Sequence, residues 1–101
     1  MPSFENLQGK TLSIDKLQIE TIDEQLVLSF DTFVCGKAYR IICRNVSALK
    51  IDNFSYPMQI CGIAITDHSS EGWQVDRKYE VYDFEDGRIR FFCEEIVVWD
   101  L

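Results

Sequence analysis

The sequence predicts an all-β fold: one small antiparallel sandwich or barrel of six to eight strands, mostly in meander order. Three observations lead there. Apolar residues recur at period two through most of the chain, short polar or glycine-containing stretches separate those runs, and only Phe4 to Leu7, stopped by Gly9, has the pattern of a helical turn. A length of 101 residues, 47% apolar and 13% aromatic, supplies one core, so residues 1–101 are expected to form a single domain.

Each element follows from local pattern. Leu17-Gln18-Ile19-Glu20 alternates, as does 25–34, where Leu26, Leu28 and Phe30 share one side; Ile22-Asp23-Glu24 between them is short enough for a hairpin. Gly36 interrupts. Tyr39 to Arg44 then resumes with Tyr39, Ile41 and Cys43 inward and Arg40 and Arg44 outward, and Leu49 and Ile51 form a short continuation. Asn53 to Pro57 reads as a loop. Met58 to Thr66 is a nearly continuous apolar run, expected to be one strand covered on both faces or a buried strand with a glycine bulge.

Asp67 to Gly72 is six consecutive polar or turn-forming residues and reads as a loop. Tyr79 to Phe84 and Arg88 to Cys93 flank Glu85-Asp86-Gly87 as a hairpin, with Gly87 supplying positive φ. Ile96 to Trp99 is a final strand, or an extension of the previous one past a bend at Glu94-Glu95.

Charge is unevenly placed. From Asp67 to Leu101 there are ten acidic residues against four basic ones, whereas Met1 to Thr66 has seven against six, within a net charge of −7. A one-sided field of this kind attracts basic partners and repels phosphates, so neither nucleic acid nor a membrane is expected as a partner. Lys37, Arg40, Arg44 and Lys50 cluster around Tyr39, but this reads as a solvated strand face. The N-terminus lacks a basic head and an apolar stretch, which predicts a cytoplasmic protein without a signal peptide.

Catalytic and metal chemistry find little support in these residues, and no catalytic residue, cofactor or metal is expected. His68 is the single histidine and stands in Asp67-His68-Ser69-Ser70. Adjacent positions are poor geometry for a triad, and a solvated turn fits better. Cys35, Cys43, Cys61 and Cys93 lack the close pairs of a zinc knuckle and sit in apolar or alternating runs, which predicts buried free thiols; three disulfide pairings are the alternative. Asp76, Asp83, Glu85 and Asp86 do not have calcium-loop spacing, and the adjacent Glu94 and Glu95 point to opposite faces of a strand.

The aromatics Trp73, Tyr79, Tyr82, Phe84, Phe91, Phe92 and Trp99 are expected to fill the core for the most part. An exposed aromatic beside carboxylates would make a protein-binding anchor, which singles out Asp67, Glu71, Trp73, Asp76, Asp83, Glu85 and Asp86 as a candidate contact surface for a basic protein. Two other classes remain open: an enzyme or small-ligand binder with an aromatic-lined internal pocket, and a structural subunit that pairs through an edge strand near Ile96 to Trp99. Monomer and homodimer are both compatible with the pattern.

Two stretches, Asn45 to Ile51 and Gly72 to Gly87, resemble small bacterial proteins of the YxiG-like kind, found among the immunity proteins that protect cells from polymorphic toxins. That resemblance implies a non-enzymatic protein that binds and neutralises a toxin domain.

Overall fold

The computed structural model describes residues 4–52, 58–71 and 77–101. Nine strands are present among them: β1 (Leu12–Ile22), β2 (Gln25–Val34), β3 (Lys37–Arg44), β4 (Ser47–Ile51), β5 (Met58–Ile60), β6 (Ile63–Asp67), β7 (Tyr79–Asp83), β8 (Ile89–Cys93) and β9 (Glu95–Asp100). All pairings among the described strands are antiparallel, in a five-stranded sheet of order β5-β1-β2-β3-β9 and a four-stranded sheet of order β4-β8-β7-β6. The arrangement is a sandwich, not a barrel. Two single 3-10 turns, Phe4–Leu7 and Ser69–Glu71, are the helical elements among the described residues.

Nine strands exceed the six to eight expected because two sequence runs each divide between the sheets. Met58 to Thr66 is not one strand: it leaves the first sheet after Ile60, passes Cys61-Gly62 and enters the second at Ile63. Likewise β8 ends in the second sheet and β9 begins in the first, with Glu94 as the joint. The connections also include crossings from β3 to β4 and β4 to β5, so meanders account for β1-β2-β3 and β6-β7-β8 alone.

The hairpins follow local chemistry. Ile22 pairs with Gln25 across Asp23-Glu24, whose φ values of 51° and 64° are those of a two-residue turn matched to strand twist. Gly87 has φ 66° and its N–H donates to Asp83 C=O at 3.1 Å, closing the turn between β7 and β8.

Period-two faces meet in the interior. Leu12, Ile14, Leu28, Phe30, Ile41 and Val98 from one sheet pack with Ile63, Ile65, Val81, Ile89 and Phe91 from the other, and Leu7 joins them from the N-terminal turn. Each such side chain contributes about 1.5–3 kcal/mol by leaving water. Phe91 and Phe92 are buried as expected, while Phe84 and Trp99 are 53% and 51% exposed and are not core residues. Phe84 has a local reason to lie outside: its ring covers Gly62, so close that a Cβ there would stand 2.4 Å from the ring tip.

Two cysteines depart from the expected burial. Cys43 and Cys93 are buried, but Cys35 lies exposed in the β2–β3 turn and Cys61 exposed where the chain changes sheets.

Candidate functional site

Of the acidic residues singled out by the sequence, the described ones do not all gather in one place. Ile63 pairs with Asp83 and Asp67 with Tyr79, so Asp67 and Asp83 occupy opposite ends of the β6–β7 ladder, on the order of 13 Å apart along the strands. Asp83 is only 3% exposed. Its Oδ1 accepts the N–H groups of Glu85 and Asp86 at 3.0 and 3.2 Å and its Oδ2 that of Arg88 at 3.2 Å. Asp83 is thus a turn-forming residue and is withdrawn from the contact surface. Glu85 and Asp86 stand exposed at the tip of that turn. Asp67 is exposed at the other end, its Oδ1 accepting Ser69 N–H at 2.8 Å; hydrogen bonds from the Ser69 hydroxyl and N–H hold its carboxyl below the usual range. Trp73, Asp76 and the Glu71 side chain lie outside the described residues.

Several other carboxylates are matched by bases. Glu80 receives both Arg90 Nε and Nη2 on Oε2, at 3.0 and 2.8 Å, and its Oε1 lies 3.1 Å from His68 Nε2. Burial pushes the Glu80 carboxyl up, but the bonds from His68 and Arg90 outweigh it and leave the group below its ordinary value. His68 is itself buried at 8% exposure, which corrects the expected solvated turn. The reason is register: His68 N–H donates to Lys78 C=O at 2.7 Å, continuing the β6–β7 ladder and turning the ring toward Glu80.

The mid-chain bases are neutralised in the same way. Arg40 and Arg44 project from the outer face of β3 as their alternation requires. Arg40 Nε reaches Asp31 at 2.8 Å, and Arg44 Nε lies 3.5 Å from Glu95. Lys50, on the other sheet, lies 3.7 Å from Asp52. No uniformly basic face results from these positions.

Space for a small ligand inside the sandwich is slight. A void of about 20 Å³, lined by Leu7, Phe30, Ile41, Ile65 and Phe91 among others, lies between the layers. That is room for about one water molecule and far below the several hundred Å³ of a small-ligand pocket. A wider concavity of about 480 Å³ opens on the outer face of the five-stranded sheet, between Glu20, Val27, Asp31, Arg40, Ile42 and Arg44. No group of three or more His, Cys, Asp or Glu side chains among the described residues is placed to hold a metal ion. None of the described helices is long and apolar enough to cross a membrane.

The edges of the two sheets differ sharply. Strand β6 is covered: Gln8 Oε1 accepts Ile65 N–H at 3.0 Å, Gln8 Nε2 donates to Ile65 C=O, and Gly9 N–H donates to Ile63 C=O at 2.8 Å. Strand β4 is bulged between Ser47 and Lys50, with Ala48 at φ 52°. Strand β5 has three residues, and the part of β1 beyond it is bulged at Lys16, φ 52°. Short length, bulges, lysines and covering segments are the usual means of blunting an edge.

Strand β9 is regular, although the N-terminal turn Phe4–Leu7 packs near it as well as near β6. It is six residues long, contains neither Lys nor Pro, and pairs with β3 in unbroken register from Glu95↔Arg44 to Asp100↔Tyr39. Beyond it Leu101 N–H donates to Ala38 C=O at 3.0 Å. Bonded pairs alternate along an antiparallel ladder, so Glu95, Val97 and Trp99 turn their backbone groups toward β3, while those of Ile96, Val98 and Asp100 face the free edge. No described strand pairs with that edge. Val97 and Trp99 project on the outer face, opposite Ile42 and Arg40 respectively. The outward parity of Trp99 was readable from its alternation with the buried Val98; the missing neighbour strand was not.

These features define an antiparallel β-sandwich whose edge strand β9 pairs with no described strand on its outer side and carries an exposed tryptophan. No family model matches the chain, and no curated protein or solved structure does.

Proposed function

We propose that this protein is a non-enzymatic binding module that takes an extended segment of a basic protein as an added strand on β9. The carrying observation is the contrast between β9, regular and open, and the other sheet edges, each shortened, bulged or covered. Strand addition supplies main-chain hydrogen bonds from Ile96, Val98 and Asp100, and the side chains of Val97 and Trp99 supply apolar contacts. Basic character in the partner follows from charge: β9 bears Glu95 and Asp100 with no base, on a chain of net charge −7. In the light of the YxiG-like resemblance, that partner would be a toxin domain.

Pairing of two copies through β9 is the less favoured reading. Antiparallel pairing centred on Val97 sets Glu94 against Asp100 of the second copy, and pairing centred on Val98 sets Asp100 against the apolar Ile96. Like charges or a carboxylate beside apolar surface oppose both arrangements. The filled interior likewise favours surface recognition over an enclosed ligand.

Selection from a short-peptide display library tests the proposal. Selected ligands should alternate apolar residues between Lys or Arg, slow amide exchange at Ile96, Val98 and Asp100, and bind more slowly as salt rises. Trp99→Ala should weaken them by about 2 kcal/mol while leaving the fold intact, because Trp99 is an exposed aromatic. Ligands without bases, or protection confined to other strands, would refute strand addition at β9; a β9-mediated dimer would favour the second reading.

A further inference from the structure

We propose that Cys43 and Cys93 are a disulfide site that ties the two sheets together when the chain folds in an oxidising thiol buffer. The two residues come from opposite layers, Cys43 from β3 and Cys93 from the end of β8. They are 1% and 0% exposed and belong to the same core.

The bend at Glu94, where the chain passes from one sheet to the other, brings them together. Glu94 N–H donates to Arg44 C=O at 3.0 Å, and Asn45 Nδ2 donates to the Glu94 carboxylate, also at 3.0 Å. The residue following each cysteine is therefore bonded to the other, backbone to backbone, and Ile96, three positions on, pairs with Cys43 itself. Within this frame both thiols lie in the same buried cluster, and each is the other's titrating neighbour. The neighbouring Cys93 thiol first, and burial second, hold the Cys43 thiol well above its ordinary range. Bond formation needs the sulfurs brought to about 2.05 Å. The backbone frame holds Cys43 and Cys93 as neighbours inside the core, whereas Cys35 and Cys61 lie exposed in separate turns.

The chemistry is exchange with a low-molecular-weight disulfide. One cysteine thiolate attacks it, forms a mixed disulfide and expels a small thiolate; the second cysteine thiolate attacks the protein sulfur of that mixed disulfide and expels the other. The two protein thiols give up two electrons and two protons, and the small disulfide leaves as two thiols. Enclosed thiols are out of reach of a dissolved disulfide, so the exchange runs on the folding or opened chain. A chain folded under reducing conditions keeps both thiols.

The link closes a loop from residue 43 to residue 93 and restricts the unfolded chain, with an expected rise in Tm on the order of 10 °C. The C35S/C61S chain, which retains only this pair, is refolded in mixtures of oxidised and reduced glutathione. The expected product has lost two hydrogens, yields one cross-linked peptide containing both cysteines, and melts at the higher temperature. Failure to form the link, a link that lowers Tm, or glutathione left on both sulfurs would overturn the proposal. In the unaltered chain, iodoacetamide under native reducing conditions should modify Cys35 and Cys61 and spare the buried pair. Equally fast modification of all four would remove the geometric basis.

Discussion

Gln8 and Ile65, far apart in sequence, exchange two hydrogen bonds: Gln8 Oε1 accepts Ile65 N–H at 3.0 Å, and Gln8 Nε2 donates to Ile65 C=O. One side-chain amide thereby does for β6 what a neighbouring strand would do. Gln8→Ala leaves both backbone groups without that partner at a partly buried position. A loss of about 1–3 kcal/mol is expected in urea unfolding, together with a greater tendency to associate, since it opens a second edge. Unchanged stability and sedimentation would show that the covering amide is dispensable.

Thr32 lies in β2, 2% exposed, and its Oγ1 has no hydrogen-bond partner among the described residues. A hydroxyl in that state has given up water for nothing. Thr32→Val keeps the shape and removes the unpaired group, so a gain of about 1 kcal/mol and a Tm higher by about 4–8 °C are expected by calorimetry. A lower Tm would mean that the hydroxyl makes a contact in solution.

Asp83 tests the distinction between a turn residue and a contact residue. Asp83→Ala removes the acceptor for three backbone N–H groups, and a loss of about 2–3 kcal/mol is expected. Glu85→Gln and Asp86→Gln, on exposed side chains, should change stability by less than about 0.5 kcal/mol. Equal effects from all three substitutions would contradict the turn-forming role.

Acid should destabilise the fold through Asp31 and Glu80. The hydrogen bond from Arg40 is the largest influence on Asp31 and outweighs burial, so its carboxyl lies below the ordinary value, as does that of Glu80. Folded-state values below the unfolded ones mean that the folded chain binds fewer protons. The associated stability is present above the unfolded pKa values, about 3.9 for Asp and 4.3 for Glu, and is lost as pH falls through the lowered values. Unfolding free energy measured from neutral to acid pH should decline over that range, and less steeply in Asp31→Asn. An equally steep decline in that variant would assign the loss to other groups.

The alternation in 25–34 and 39–44, and the turn at Gly87, were legible in the sequence because each depends on near neighbours. A strand's inward and outward sides follow from parity alone, which placed Arg40 and Arg44 on the outer face of β3 and Cys43 inside. The division of Met58 to Thr66 at Cys61-Gly62 was not legible, since both halves are apolar and only their partners differ: Met58 to Ile60 pairs with β1, Ile63 to Asp67 with β7. The same holds at Glu94, where one alternating run serves two sheets.

Charge followed the same rule. Composition determined that the chain is acidic and that its excess lies after Asp67, but the sequence carries no register, and register set Asp67 and Asp83 at opposite ends of one ladder. Tertiary pairing also decided that Asp83 is consumed by its own turn, that Glu80 is shared between His68 and Arg90, and that β9 pairs with β3 on one side and with no described strand on the other. Strand character is set by residues two apart, whereas edges, sheet membership and charge neighbours are set by hydrogen bonds between residues tens of positions apart.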